Sequence, residues 1–186
     1  MDSPKDAGEA PHGMDGQMVD MTIPSASAHV CALGMFFASG LLFIGAHAWR
    51  WDNISLAVPW VFWAVLVAGL FVHEGLHGLG HLLGGARRSE VEFGIAWSKL
   101  MPYASCRVPM SARAYRVASA LPGVALGLLP ALVGLALDWW TWTLFGTLMV
   151  GGADGDAAVL WAIRRLPEEA RVIDHPTEVG CRVLPS

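Results

Sequence analysis

Three residues with the chemistry of a hydrolytic metal site lie close together in the chain. His73, Glu74 and His77 form the pattern H-E-x-x-H. Side chains four residues apart share one face of a helix, so both imidazoles can bind the same ion. Zinc in catalytic sites has three protein ligands and keeps a fourth tetrahedral position for water, whose proton an adjacent carboxylate can accept. The spacing therefore predicts a metal-dependent hydrolase with Glu74 as the general base.

This motif lies in an apolar stretch, residues 58–83, that is long enough to cross a membrane. Ionisable groups are costly to bury in such a segment, and they usually mark a functional site. The structural alternative is a helix whose histidines hydrogen-bond to neighbouring helices. Glu74 favours a catalytic site, because a purely structural metal site fills its fourth position and has little need of an adjacent carboxylate.

The composition of the 186-residue chain is typical of a membrane protein. Hydrophobic residues make up 54% and charged residues 15%, and the mean hydropathy is +0.47. The net charge of −4 gives no support for nucleic-acid binding, which depends on positive charge. The three cysteines are an odd number without a regular spacing, which argues against structural disulfides.

Four apolar stretches predict four transmembrane helices within one domain, residues 29–166. These stretches are about residues 29–49, 58–83, 114–137 and 141–163. Polar sequence flanks the domain on both sides. We expect a disordered tail over residues 1–28 and a cytoplasmic tail over residues 167–186.

The distribution of basic residues predicts the orientation of the chain. The loop formed by residues 84–113 contains five of the 12 Lys and Arg residues. Positive charge concentrates in the cytoplasmic loops of membrane proteins. The loop and both termini are therefore expected in the cytoplasm.

This loop also contains a pattern typical of β-strands. Residues 89–97 alternate between polar and apolar side chains, and residues 100–108 are a candidate partner strand interrupted by Pro102. The predicted fold class is thus an all-α membrane protein with four transmembrane helices and a short cytoplasmic β-hairpin after the second helix. The hairpin could bind an extended peptide along its edge or lie on the lipid headgroups, and the sequence leaves both open.

A third metal ligand is expected from the last helix. Asp156 lies roughly 12 Å from the cytoplasmic end of that helix, and His77 lies roughly 9–15 Å from the corresponding end of its own helix. The two residues can therefore meet at one level of the membrane. The alternatives are His81, one helical turn after His77, and Asp154; Glu90 and Glu92 are further acidic candidates beyond the helix end.

These features together resemble the intramembrane zinc metalloproteases of the site-two protease type. The closest likeness is to the bacterial family named Putative zincin peptidase, and it runs from about Trp60 to Gly180. It includes the motif H-E-G-L-H, the Tyr103–Pro109 stretch, Tyr115 with Leu121-Pro122, Gly155-Asp156, and Asp174-His175-Pro176.

The resemblance implies one Zn²⁺ per chain, with His73, His77 and Asp156 as ligands and Glu74 as the base. It also implies a location in a bacterial inner (plasma) membrane. The Asn-Pro-Asp-Gly type of sequence found around the aspartate of site-two proteases is absent here, so His81 and Asp154 remain alternatives for the third ligand.

The sequence thus predicts an intramembrane zinc metallopeptidase that hydrolyses peptide bonds with a metal-activated water. Its partners would be the lipid bilayer and a peptide or membrane-protein substrate. The alternative is a non-catalytic, metal-binding membrane scaffold protein with the same ligands. A metal transporter is a weaker hypothesis, because the sequence has no second set of ligands on the extracellular side.

Overall fold

The computed structural model of the chain describes residues 18–23, 25–97, 101–176 and 178–185. Most of these residues are helical. Their α-helices are α1 (Ser25–Ser39), α2 (Gly45–Trp51), α3 (Trp60–Leu83), α4 (Ala112–Pro122), α5 (Leu129–Leu137), α6 (Trp140–Gly152) and α7 (Asp154–Ile163).

Two π-helical segments join some of these helices end to end. Residues Gly40–Ile44 connect α1 to α2, and residues Gly123–Leu128 connect α4 to α5. The second π-helical segment follows Pro122, which has no amide hydrogen for a regular helical bond. The joined helices are therefore long continuous rods rather than separate short helices.

Three helices in the described part of the chain are long and apolar enough to cross a membrane. They are Val30–Trp51, Trp60–Leu83 and Ala112–Leu137. In the apolar windows of the first two, only 17% of the residues are buried within the protein. Large apolar side chains therefore face outward, as Leu41 and Trp60 do with 81% and 80% exposure. Such a surface is typical of helices in contact with lipid.

The fourth predicted span is broken, so four continuous transmembrane helices are not confirmed. Helix α6 ends at Gly152 and α7 begins at Asp154, with Ala153 in a non-helical conformation between them. Neither helix has the length that a membrane crossing requires. The break places Asp154 and Asp156 in the first turn of α7. Carboxylates are favoured there because the helix dipole presents partial positive charge at that end.

The predicted β-hairpin is present between α3 and α4. It consists of β2 (Val91–Ala96) and β3 (Met101–Cys106), paired antiparallel with Val91 opposite Cys106. A second, four-stranded antiparallel sheet was not predicted. It has the order β1-β6-β5-β4 and consists of β1 (Val19–Thr22), β4 (Met110–Ser111), β5 (Arg171–Asp174) and β6 (Gly180–Val183).

This second sheet corrects the predictions for the two ends of the chain. The predicted disordered tail does not extend over Val19–Thr22, which pairs with β6. The predicted C-terminal tail contains two strands, and Val172 and Cys181 are fully buried in a cluster with Tyr115. Short alternations of apolar and polar residues supply a buried face even within a polar segment. The all-α class is therefore too narrow, and residues 1–17 lie outside the described residues.

Helices α3 and α4 approach each other closely at one glycine. A Cβ atom added to Gly80 would lie 2.5 Å from the Cα atom of Ala118. Helix α4 is also tied to α7, because the guanidinium of Arg116 donates hydrogen bonds of 2.6 Å to the carbonyl oxygens of Ile163 and Leu166. These contacts set the relative positions of α3, α4 and α7.

The close approach at Gly80 predicts a large difference between two identical substitutions in α3. Gly80→Ala forces the backbones of α3 and α4 apart and should destabilise the protein by about 1–3 kcal/mol. Gly75→Ala is the matched control, because its Cβ meets nothing within 4 Å. It should leave the stability unchanged or raise it by up to about 1 kcal/mol. Thermal unfolding in detergent measures both, and equal melting temperatures would contradict the packing described.

Candidate metal centre

Two histidines of α3 and one aspartate of α7 meet inside the protein. The Nε2 atom of His73 lies 3.1 Å from Oδ2 of Asp156, and the Nε2 atom of His77 lies 3.1 Å from Oδ1 of the same carboxylate. The two imidazole rings have centroids 4.9 Å apart, as expected for residues one helical turn apart. The side chains of these three residues are 11%, 13% and 22% exposed, so the cluster is largely shielded from solvent.

The arrangement of these three side chains has the dimensions of a metal site. One potential ligand atom from each residue lies within 4.8 Å of the others. Tetrahedral zinc with bonds of about 2.0–2.1 Å to nitrogen and oxygen separates its ligand atoms by about 3.3 Å. The two nitrogen–oxygen distances of 3.1 Å are close to this value, so little movement would be needed to bind an ion.

The hydrogen bond of the other ring nitrogen of His77 supports the same conclusion. Nδ1 lies 3.0 Å from the carbonyl oxygen of Ala118. A carbonyl oxygen can only accept, so Nδ1 must donate its hydrogen, and in the neutral ring Nε2 then has a free lone pair. That lone pair faces the Asp156 carboxylate, which requires a proton or a metal ion between them. A histidine with one nitrogen bonded to a backbone carbonyl is the usual arrangement at metal sites.

The carboxylate of Glu74 is oriented by the hairpin. The backbone N–H of Ala104 in β3 donates a hydrogen bond of 2.8 Å to Oε2 of Glu74. Glu74 and both His77 and Asp156 line one cavity of about 870 Å³ that opens to the surface. A cavity of this size can hold several residues of a peptide.

The other candidate ligands lie elsewhere or have different contacts. The Nε2 atom of His81 lies 3.9 Å from Oδ2 of Asp174, outside the group formed with Asp156. Asp154 precedes Asp156 by two residues and is not part of that group either. Glu90 accepts a hydrogen bond from the backbone N–H of Arg87, and Glu92 forms an ion pair with Arg107. Of the described residues, only His73, His77 and Asp156 form such a group.

Comparison with known proteins places the chain in a family. The sequence model of the family described as "Putative zincin peptidase" matches residues 66–171, which include His73, Glu74, His77 and Asp156. This match covers more than half of the chain. The chain belongs to the Putative zincin peptidase family.

One relative of this zincin family member is a protein of Pyrococcus woesei named "Uncharacterized 24.7 kDa protein in gap 5'region". The two sequences are 26% identical over 149 residues, which cover 74% of this chain. The chain spans 64% of the length of that relative. No solved structure matches the chain.

A second polar cluster of the zincin-family chain surrounds Asp174, beyond the end of the family match. Its Oδ1 atom accepts a hydrogen bond of 2.5 Å from the hydroxyl of Tyr115, and its Oδ2 atom accepts one of 2.6 Å from the backbone N–H of Cys106. The surroundings are poorly solvated. Burial, followed by the negative charge of Asp174, raises the pKa of the Cys181 thiol to about 11.

The side chains predicted from the sequence lie close together, whereas the backbone groups that contact His77 and Glu74 were not predicted. The carbonyl of Ala118 and the amide of Ala104 are backbone groups, which any residue type except proline at the amide would supply. The role of Asp174 also went unrecognised because its strand was taken for a tail. The available signal was in the partner strand, where Cys181 and Val183 alternate with Gly180 and Arg182.

Proposed function

We propose that this chain is an intramembrane zinc metallopeptidase in which His73, His77 and Asp156 hold the ion and Glu74 is the general base. The observation that carries the proposal is the meeting of two imidazole nitrogens and one carboxylate within 4.8 Å. The family match supports zinc and peptidase chemistry in general. The likeness to site-two proteases supports the intramembrane location of the cleavage.

The proposed reaction is the hydrolysis of a peptide bond. Zinc, when bound, lowers the pKa of a coordinated water and polarises the scissile carbonyl. Glu74 takes one proton from the water at a carboxylate oxygen as the new C–O bond forms. It then delivers that proton to the amide nitrogen as the C–N bond breaks, which releases an amine and a carboxylic acid. The N–H of Ala104 holds Oε2 of Glu74, so the carboxylate does not need to be ordered during the reaction.

We further propose that α6 and α7 together form a fourth membrane crossing. The other three crossings are then the apolar helices already described. Arg87 and Arg88 follow α3, Arg113 lies in the first turn of α4, and Arg164 and Arg165 follow α7. By the positive-inside rule these ends, the hairpin and both termini are cytoplasmic, in the inner membrane of a bacterium.

The proposed substrate is an extended segment of a peptide or a membrane protein. It would reach the metal in an extended conformation through the open cavity beside the hairpin. Nucleic acid is not a proposed partner, because the chain is acidic overall.

One observation also fits the alternative of a non-catalytic metal-binding scaffold. The hydrogen bond from Ala104 to Glu74 joins the hairpin to α3, which is a structural role for the same carboxylate. A scaffold needs this contact but no proton transfer. The two functions therefore differ in their response to a change of Glu74 that preserves its shape.

The metal site predicts the zinc content of purified protein. Wild-type protein should bind about one zinc per chain, as expected for one tetrahedral site. His73→Ala and His77→Ala should lose most of it, since each removes one of three ligands. His81→Ala is the matched control on the same helix and should retain zinc. Full occupancy in His73→Ala would contradict the metal site, and loss in His81→Ala would transfer a ligand role to that residue.

The hydrolase proposal predicts that Glu74→Gln separates zinc binding from cleavage. Glutamine keeps the shape and can still accept the hydrogen bond from Ala104, but it cannot take a proton. Zinc content should be unchanged, and cleavage of a membrane-embedded peptide should fall by about 10²–10⁴-fold. Cleavage at the wild-type rate would exclude Glu74 as the base, and absence of cleavage by every preparation, wild type included, would favour the scaffold.

The proposed topology predicts which of two exposed positions can be labelled from outside the cell when its serine is replaced by cysteine. Ser89 precedes the hairpin, and Ser55 lies in the turn between α2 and α3. In intact cells, a membrane-impermeant maleimide should label Ser55→Cys and should leave Ser89→Cys unlabelled until the membrane is opened. Both variants are made in a protein whose native cysteines have been replaced, so that only the introduced cysteine can react. The opposite labelling pattern would reverse the orientation.

A further inference from the structure

One edge of β3 is not paired with another described strand and faces the metal centre; we call it the free edge. On its other side, β3 pairs with β2, and this pairing continues where the N–H of Arg107 donates to the carbonyl oxygen of Glu90. Successive residues of a strand point their N–H groups to opposite sides. The N–H groups of Ala104 and Cys106 therefore point away from β2, and Pro102, the next residue in that row, has no N–H.

Both N–H groups of this free edge are bound by carboxylates. Ala104 donates to Glu74 on α3, and Cys106 donates to Asp174 at the end of β5. Hydrogen bonds to ionised acceptors are about twice as strong as those between neutral groups. A strand held at two positions 2 residues apart has little freedom to shift or twist at the residue between them.

Asp174 is itself held firmly. Its second oxygen accepts the hydrogen bond from Tyr115 on α4, and His81 of α3 lies 3.9 Å away. Its strand is anchored in the four-stranded sheet, where Val172 and Val183 face each other at 0% and 2% exposure. Asp174 thus connects the C-terminal sheet, the hairpin and the two helices that surround the metal centre.

We propose that Asp174 is a positioning residue that fixes β3 so that the N–H of Ala104 orients the carboxylate of Glu74. This inference rests on the proposed function, because Glu74 is the general base in it. The C-terminal sheet is then a part of the active site, although the family match ends at residue 171. Asp174 acts through two backbone amides and is not one of the three residues that form the metal-binding group.

The expected effect on catalysis is large because proton transfer depends on position. A displacement of a catalytic group by about 1 Å can reduce a rate by about 10²-fold. Removal of the Asp174 carboxylate leaves the N–H of Cys106 without its acceptor and frees one end of the edge. The loss should appear mainly in kcat, because Glu74 transfers the proton in the chemical step and the other residues that line the cavity remain.

The test combines hydrogen exchange with kinetics in three variants of the full-length chain. Asp174→Ala removes the proposed positioning group. Asp20→Ala is the matched control: it is the same substitution in the same sheet, and the ionic contacts of Asp20 are with Arg182 and His175 rather than with the hairpin or α3. Tyr115→Phe removes one hydrogen bond to Asp174 but keeps the carboxylates of Asp174 and Glu74, so it is the milder variant.

Asp174→Ala should speed hydrogen exchange at the amides of Cys106 and Ala104 by at least about tenfold, since each loses its protection when the edge is freed. Its kcat should fall by about 10²-fold with zinc content unchanged. Tyr115→Phe should change both quantities in the same direction by a smaller factor, and Asp20→Ala should change neither.

Unchanged exchange at Ala104 in Asp174→Ala would overturn the proposal, and so would loss of zinc, because Asp174 would then support the ligands rather than the base. If Asp174→Ala does not fold, the same two measurements, hydrogen exchange at Ala104 and zinc content, are made on Tyr115→Phe, and the same results would overturn the proposal. If wild-type protein cleaves nothing, the proposed function fails, while the exchange of Ala104 still shows whether Asp174 fixes the strand.

Discussion

Ionisable groups buried in an apolar environment need partners, and this constraint organises the protein. His73, Glu74, His77 and His81 are the ionisable residues of the apolar helix α3, so each requires a partner from another element. Asp156 faces both histidines, Ala118 binds the second ring nitrogen of His77, and Ala104 binds Glu74. Helices α4 and α7 and the hairpin are held around α3 in the positions that these contacts require.

Local features of the other elements make those positions possible. The break at Ala153 lets α7 begin where its N-terminus directs Asp156 towards α3. Gly80 allows α4 to approach so closely that the carbonyl of Ala118 reaches His77. Pro122 has no N–H for the carbonyl of Ala118, four residues earlier, and the helix continues beyond Pro122 through the π-helical segment. Features that weaken an isolated helix are thus placed where the site needs a close contact or a change of direction.

The sequence predicted those parts of the structure that depend on side-chain type and periodicity. The spacing of His73 and His77, the length of α3 and the alternation in β2 each follow from a local pattern, and counting residues from the helix ends brought Asp156 to the level of His77. The sheet that joins residues 19–22 to the C-terminal strands was missed because each strand is only four residues long and its pairing is non-local. The backbone contacts of Ala104 and Ala118 were missed because they depend on tertiary position alone.

The central claim is that two histidines of α3 and one carboxylate of α7 hold a single zinc ion. X-ray absorption at the zinc edge of purified wild-type protein tests it most directly, because the scattering pattern identifies the ligand atoms. We expect two imidazole nitrogens and oxygen ligands at about 2.0–2.2 Å, with no sulfur. Three imidazoles, or a sulfur ligand at about 2.3 Å, would contradict it.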